Sequence, residues 1–375
     1  MKGKLEAIQA LRFIAATAVV VDHALSQLVS RAFLPPRWEQ YGWHCGQAGV
    51  WAFFAISGFI MIHAERENFG RGGGAKAFIA KRLVRIAPMY WLASLVALAA
   101  LLSTGHAPPT VSYVAASLLF LPSPAQPGEL IRPLLGQGWT LIYEMMFYCI
   151  FFCAMFLTFY RGAVSILAAL GALVLAGSVI KPLAAAYDPF TVAAFVTDPI
   201  ILLFGAGCVI GLVRRRLDRI ELSHGLMAAL ILLGAAVSLF VAGRFGYPMN
   251  FYARAPFMLL ATAAVAMCAF AKDRSSPSSR IMSLLGDASY SVYLFHLFFL
   301  NALFFAASRL PGFSRAAWLY VIAAVAAANA AGLVIHVFVE KPLTARLRDL
   351  VAGRRRQTRS APADMRPALR PSPET

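Results

Sequence analysis

Apolar runs of about 20 residues recur along almost the whole chain, and this repetition limits what it can fold into more than any other feature. A run of that length, wound as a helix, spans the hydrocarbon core of a bilayer, where only structures that satisfy their own backbone hydrogen bonds persist. Hydrophobic residues make up 60% of the 375 positions and charged residues 14%. The fold expected is therefore an all-α polytopic membrane helix bundle rather than a soluble domain. About ten transmembrane helices are expected, centred near Ala18, Phe54, Ser94, Phe147, Leu170, Gly205, Ile231, Ala263, Phe295 and Val325.

The basic residues orient these spans. With the N-terminus inside, 26 of the 34 Lys and Arg fall in cytoplasmic segments, which predicts both termini in the cytoplasm. The net charge of +17 follows largely from this bias, so no nucleic-acid partner is needed to explain it. The start resembles a signal peptide, but Arg12 and the Asp22-His23 pair interrupt the apolar region, and the segment is read as a retained first span. Residues 1–350 are assigned to one membrane unit and 351–375 to a disordered basic cytoplasmic tail. Ala107 to Gln137 is the longest outer segment, and its apolar run Val111 to Leu121 is too short to cross. It is expected at the interface or re-entering the membrane.

Ionisable side chains inside such a bundle are costly and so mark function by default. His23 follows Arg12 by eleven residues, which at ~100° per residue returns it to the same helix face, about 16 Å further along the axis. Arg12 reads either as a snorkelling anchor or as an anion-binding group, and His23 as an interhelical bond or as a catalytic imidazole. Asp22 points elsewhere on the helix and is expected to be satisfied by a neighbour or by interfacial water. Arg82 and Arg85, three apart at the cytoplasmic surface, suit either positive-inside anchoring or phosphate. The preceding Gly72-Gly73-Gly74 reads as a flexible connector, since no phosphate-loop pattern follows. Ser57-Gly58 reads as a packing pair.

Glu144 lies at a depth similar to that of His23 and needs a partner there. Tyr148, one turn below, either bonds it or packs, and Trp139 serves as an interfacial anchor or a substrate platform. Ser289, Tyr293 and His296, at i, i+4 and i+7, form a polar stripe facing the bundle interior. Glu340 reads as part of a helix-end polar cluster. The five cysteines show no disulfide framework or zinc pattern, no metal is expected, and Cys149 and Cys153 read as packing residues.

These motifs, in this order, resemble the membrane-bound acyltransferase-3 family, in particular its short forms that O-acetylate bacterial exopolysaccharide. The resemblance runs from about Leu5 to Pro342. It rests on Arg12 and His23, on Ser57-Gly58-Phe59, and on Arg82, Arg85 and Pro88. It rests also on Trp139, Leu141 and Glu144, and on Ser289, Tyr290, Tyr293 and His296. It implies an enzyme of the bacterial inner membrane that takes an acyl group, most simply acetyl from acetyl-CoA, and passes it to a hydroxyl of a polysaccharide or lipid-linked oligosaccharide. Arg12, Arg82 and Arg85 would hold the CoA phosphates, and His23 would act as general base or acyl relay. Glu144 would orient or discharge the ring if the two side chains meet. Trp139, Tyr148, Ser289, Tyr293 and His296 would support the substrates. The rival reading is a proton-coupled transporter or flippase, because Arg, His and Glu in a bundle also describe carriers. No internal repeat supports it.

Overall fold

The computed structural model describes residues 5–105, 107–180, 190–217, 251–271 and 277–359. Twelve α-helices carry the described chain: α1 (Glu6–Val29), α2 (Arg37–Glu65), α3 (Gly74–Ser103), α4 (Val111–Leu118), α5 (Trp139–Ala154) and α6 (Phe159–Ile180), then α7 (Val192–Val196), α8 (Leu202–Arg216), α9 (Phe251–Ala269), α10 (Pro277–Ala307), α11 (Ala317–Ile335) and α12 (Lys341–Arg359). One turn of π-helix, His336–Glu340, joins the last two. No β-strand occurs among the described residues.

Seven stretches are long and apolar enough to cross a membrane: those built on α1, α2, α3, α6, α7 with α8, α10, and α11 running into α12. Nine of the ten expected span centres lie in helices, and the tenth, Ile231, falls outside the described residues. Of the three expected spans not among the seven, that at Ile231 lies outside the described residues, that at Ala263 rests on the short apolar stretch Arg254–Ala269, and that at Phe147 on α5, whose 16 residues rise only about 24 Å. A 3-10 turn, Gly136–Gly138, leads into it and carries the chain down from the outer segment.

Small residues let the central helices touch backbone to backbone. A Cβ on Gly49 of α2 would strike the carbonyl of Ala15 in α1, and one on Gly46 would strike the Asp22 carboxylate. Where α2 meets α8 the relation is reciprocal: Gly58 lies under the carbonyl of Phe204, and Gly207 under that of Ala55. This is the packing role expected of Ser57-Gly58, now with its partner helix named. Aromatic side chains fill the space beside it, with Phe204 stacked between Phe54 and Phe147 at ring separations of 4.6 and 4.5 Å.

Four expectations are revised or filled in at this level. The triple glycine is a tight turn rather than a loose connector, because Gly73 takes the left-handed φ of 85° that opens α3 and Gly74 sits against the carbonyl of Asn68. The outer apolar run becomes α4, capped by Thr110 and docked on α3, where Tyr90 Oη donates to Ser117 O (3.0 Å) and Trp91 Nε1 to Leu118 O (2.8 Å). Cys149 and Cys153 are exposed rather than packed, since they lie about 140° around α5 from Glu144 and Tyr148, which face inward. Finally, α12 carries helix through the boundary drawn at residue 350, as far as Arg359.

Candidate active site

Three cavities line up through the bundle and share side chains where they meet. The middle one, about 110 Å³ and here called the inner cavity, is lined by Arg12, Arg82, Arg85, Ser57, Glu144, Tyr148, Ser289 and Tyr293 among others. Below it a vestibule of about 400 Å³ shares Arg82 and Arg85 with it. On the other side an outer cavity of about 530 Å³ contains His23, and its wall toward the inner cavity is Val50 and Tyr293.

The inner cavity gathers three guanidinium groups from two helices. Arg12, only 8% exposed, donates from Nη1 to Gln9 Oε1 at 3.1 Å, and Gln9 in turn donates from Nε2 to Asp287 Oδ1 at 3.2 Å. Gln9 sits one turn before Arg12, so the brace comes from α1 itself and aims the guanidinium along the shared face. Arg82 leans on Glu65 (3.8 Å) and lies over the rings of Phe78 and Tyr148, at 5.5 and 5.9 Å from their centroids. Its Nε is buried without a hydrogen-bond partner. A buried donor left over on a cation, in a cavity lined by two further cations, is a setting that an anionic ligand would satisfy.

Glu144 is the carboxylate of this inner cavity. Tyr148 Oη donates to Glu144 Oε1, and Ser57 Oγ donates to the same oxygen at 3.4 Å. This settles the open reading of Tyr148 in favour of a hydrogen bond. It also separates Glu144 from His23: the two line different cavities, with Val50 and Tyr293 between them. Glu144 bonds Tyr148 and Ser57 and makes no bond to His23, because it lies at the depth of Arg12 and Ser57, deeper than its place in the sequence suggests.

His23 meets His296 instead. Their rings lie 4.9 Å apart, with His23 Nδ1 3.3 Å from His296 Nε2. His296 is fully buried, and its Nδ1 is 2.7 Å from the carbonyl of Tyr293. A carbonyl only accepts, so that nitrogen carries the hydrogen and a neutral His296 has its lone pair on Nε2. Facing that lone pair and the carbonyl of Val19 (2.9 Å), His23 Nδ1 has only acceptors and must be the N–H. The free lone pair of a neutral His23 is then on Nε2. The pair thus sets one tautomer and leaves a basic nitrogen on a residue that lines the outer cavity.

The rest of the polar stripe closes the wall. Thr140 Oγ1 and Tyr293 Oη are 2.7 Å apart, and Tyr293 Oη donates to the Gln137 carbonyl at 2.7 Å. Ser289 Oγ donates to Gly286 O and lines the inner cavity, one turn below Tyr293. Trp139 is half-buried in the wall of the outer cavity, opposite Trp43.

Two residues of the outer cavity escaped the sequence. Asp22 does not turn away: neighbours on a helix differ by ~100°, and a cavity this wide takes in both Asp22 and His23. Gln137 is 5% exposed, donates from Nε2 to Leu294 O, and keeps a buried Oε1 with no partner. Its place at the head of the Trp139–Glu144 stretch was the available signal.

Cations gathered on one side of a wall and a base on the other suit a group transfer, and comparison with known proteins supplies the class. An acyltransferase-domain profile, that of the acyltransferase-3 family, matches residues 5–337. The chain belongs to the acyltransferase-3 family. This decides between transferase and transporter, and with the seven apolar helices it makes the protein a multi-pass membrane acyltransferase. The chain is also 33% identical over 325 residues to a protein of Rhizobium meliloti (strain 1021) named "Exopolysaccharide production protein ExoZ", covering 84% of this chain and 96% of that one. No solved structure matches it. All five motifs that carried the resemblance fall within the residues matched by the acyltransferase-3 profile, and side chains from each of them line the inner or outer cavity.

Proposed function

We propose that this acyltransferase takes an acyl group, acetyl in our reading, from cytoplasmic acyl-CoA and passes it across the bacterial inner membrane to a hydroxyl of an exopolysaccharide or its lipid-linked precursor. The exopolysaccharide-production protein supports the glycan acceptor, and the distribution of Lys and Arg supports a bundle of about ten spans with both termini in the cytoplasm. The observation that carries the reading is the division of labour across one wall. Arg12, Arg82 and Arg85 line the inner cavity, His23 lines the outer one, and Tyr293 and Val50 belong to both.

Arg12, Arg82 and the half-buried Arg85 hold the donor by its phosphates, in a partly dehydrated setting where such contacts are stronger than in water. The acyl thioester end reaches toward His23, which requires Tyr293 to swing from its bonds to Thr140 and Gln137. His23 Nε2 accepts the proton of the sugar hydroxyl as its oxygen attacks the thioester carbonyl. Collapse of the tetrahedral intermediate breaks the C–S bond, and the imidazolium returns the proton to the leaving sulfur. In the covalent variant of this scheme, Nε2 attacks first and the thiolate leaves, and the sugar hydroxyl then takes the acyl group from the ring while its proton passes by way of the released Nε2 to the thiolate. His296 accepts from Nδ1–H in both and keeps the basic nitrogen on the side of the acceptor.

Mass spectrometry of surface glycans from cells carrying the intact protein, His23→Ala or an empty vector tests the proposal. Acyl esters are expected only with the intact protein. Equal ester content in all three, with the acceptor glycan present, refutes it.

A further inference from the structure

The inner cavity, at about 110 Å³, admits the slender acyl end of a CoA thioester but not its nucleotide. The vestibule beside it is nearly four times larger, about 400 Å³, and it is lined by five cations: Lys81, Arg82, Arg85, Lys341 and Arg348. Two carboxylates share it, and both are engaged within the protein. Asp287 accepts from Gln9, while Glu340 accepts from Ser291 Oγ at 2.7 Å and lies 2.8 Å from His336 Nδ1. The buried Glu340 is turned inward by the π-helical turn, an irregularity that recurs at functional sites. Beyond that turn Lys341, Thr344 and Arg348 follow at i, i+3 and i+7, so one face of α12 lies along the vestibule. By composition Lys341 and Arg348 count among the topogenic cytoplasmic cations, yet they wall a cavity that opens onto the phosphate-binding pair.

We infer that the vestibule is a second phosphate subsite of the donor site, in which Lys341 and Arg348 take the phosphate on the ribose of CoA. Arg82 and Arg85, on the wall common to both cavities, take the pyrophosphate, and the inner cavity receives only the acyl-bearing arm. This rests on acyl-CoA being the donor, as proposed above.

The test measures binding of acetyl-CoA and of 3′-dephospho-acetyl-CoA to the purified full-length protein in neutral detergent. The proteins compared are wild type, the double variant Lys341→Ala with Arg348→Ala, the charge-keeping double variant Lys341→Arg with Arg348→Lys, and Arg346→Ala, whose exposed side chain lies outside the vestibule. Wild type, Arg346→Ala and the charge-keeping variant are expected to prefer acetyl-CoA by about tenfold or more, and the alanine double variant to lose that preference by weakening acetyl-CoA alone. A wild type that binds neither thioester sinks the donor reading and the subsite with it. A wild type that prefers acetyl-CoA, with the preference unchanged in the alanine double variant, overturns the subsite and leaves the donor reading standing. Loss of affinity for phosphatidylglycerol nanodiscs, with acetyl-CoA binding intact, likewise overturns it, since the occupant is then a lipid headgroup.

Discussion

Nδ1 of His23 lies 3.3 Å from Nε2 of His296, across 273 residues of sequence, and with the Val19 carbonyl at 2.9 Å that contact leaves Nε2 as the basic nitrogen of His23. With His296 anchored on the Tyr293 carbonyl, only one arrangement of hydrogens satisfies both rings in their neutral forms. His296→Phe is expected to lower kcat by about tenfold or more while leaving the donor KM near wild type, because the ring of His23 keeps the Val19 carbonyl but loses the polar neighbour that stabilises its protonated form in the proposed step. His296→Gln, which can offer a carbonyl oxygen, is expected to recover part of the loss. Steady-state kinetics on purified protein checks both, and a His296→Phe enzyme with wild-type kcat refutes the assignment.

In the proposed scheme His23→Ala removes the base itself. The expected loss in turnover is about 10²- to 10⁴-fold, with acetyl-CoA affinity unchanged because His23 lies beyond the wall from the guanidinium groups. Binding and turnover measured on the same preparation separate the two effects.

Arg85→Ala is expected to do the reverse. Losing one charge-assisted contact to phosphate weakens the donor by about tenfold to a hundredfold, so KM for the acyl-CoA rises and kcat changes little. A fall in kcat alone argues that Arg85 acts on chemistry and not on binding.

Gly58→Leu drives a side chain into the backbone of α8 at Phe204. Overpacking in a close helix contact costs about 1–3 kcal/mol or more, and neither backbone can yield without moving α2 from α8. A drop in the thermal midpoint of the detergent-solubilised protein is the expected readout, and a Gly207→Leu variant is expected to match it from the opposite helix.

Glu340→Ala strips the buried acceptor from Ser291 and His336. Two donors left without a partner cost about 1–3 kcal/mol each, so the midpoint is expected to fall in this variant too. Retained donor binding in the folded fraction distinguishes this structural effect from damage to the vestibule.

Helices and motifs were legible because the signals for them are local. Hydrophobic run length marks a helix in lipid whatever surrounds it, and eleven residues place Arg12 and His23 on one face by helical geometry alone. Spacing also put Glu144 and Tyr148 on one face, one turn apart, while the choice between a bond and packing came from the structure. Asp22 was misplaced by applying that geometry too strictly, since a face is an arc of cavity wall and not a line. Cys149 and Cys153 were misread because an apolar helix in a bundle has no polar side to reveal which face turns outward.

By itself the sequence determined that the chain is a bundle of apolar helices, which polar residues interrupt them, and how far apart along one helix those residues lie. Only the tertiary structure decided which of them meet. Depth is a coordinate along one helix, whereas contact depends on how helices rotate and approach, and that is set by backbone contacts such as Gly49 on Ala15 and Gly58 on Phe204. So Glu144, bonded to Ser57 in the cavity of Arg12, stands on the other side of Tyr293 from His23, while His296 closes on His23.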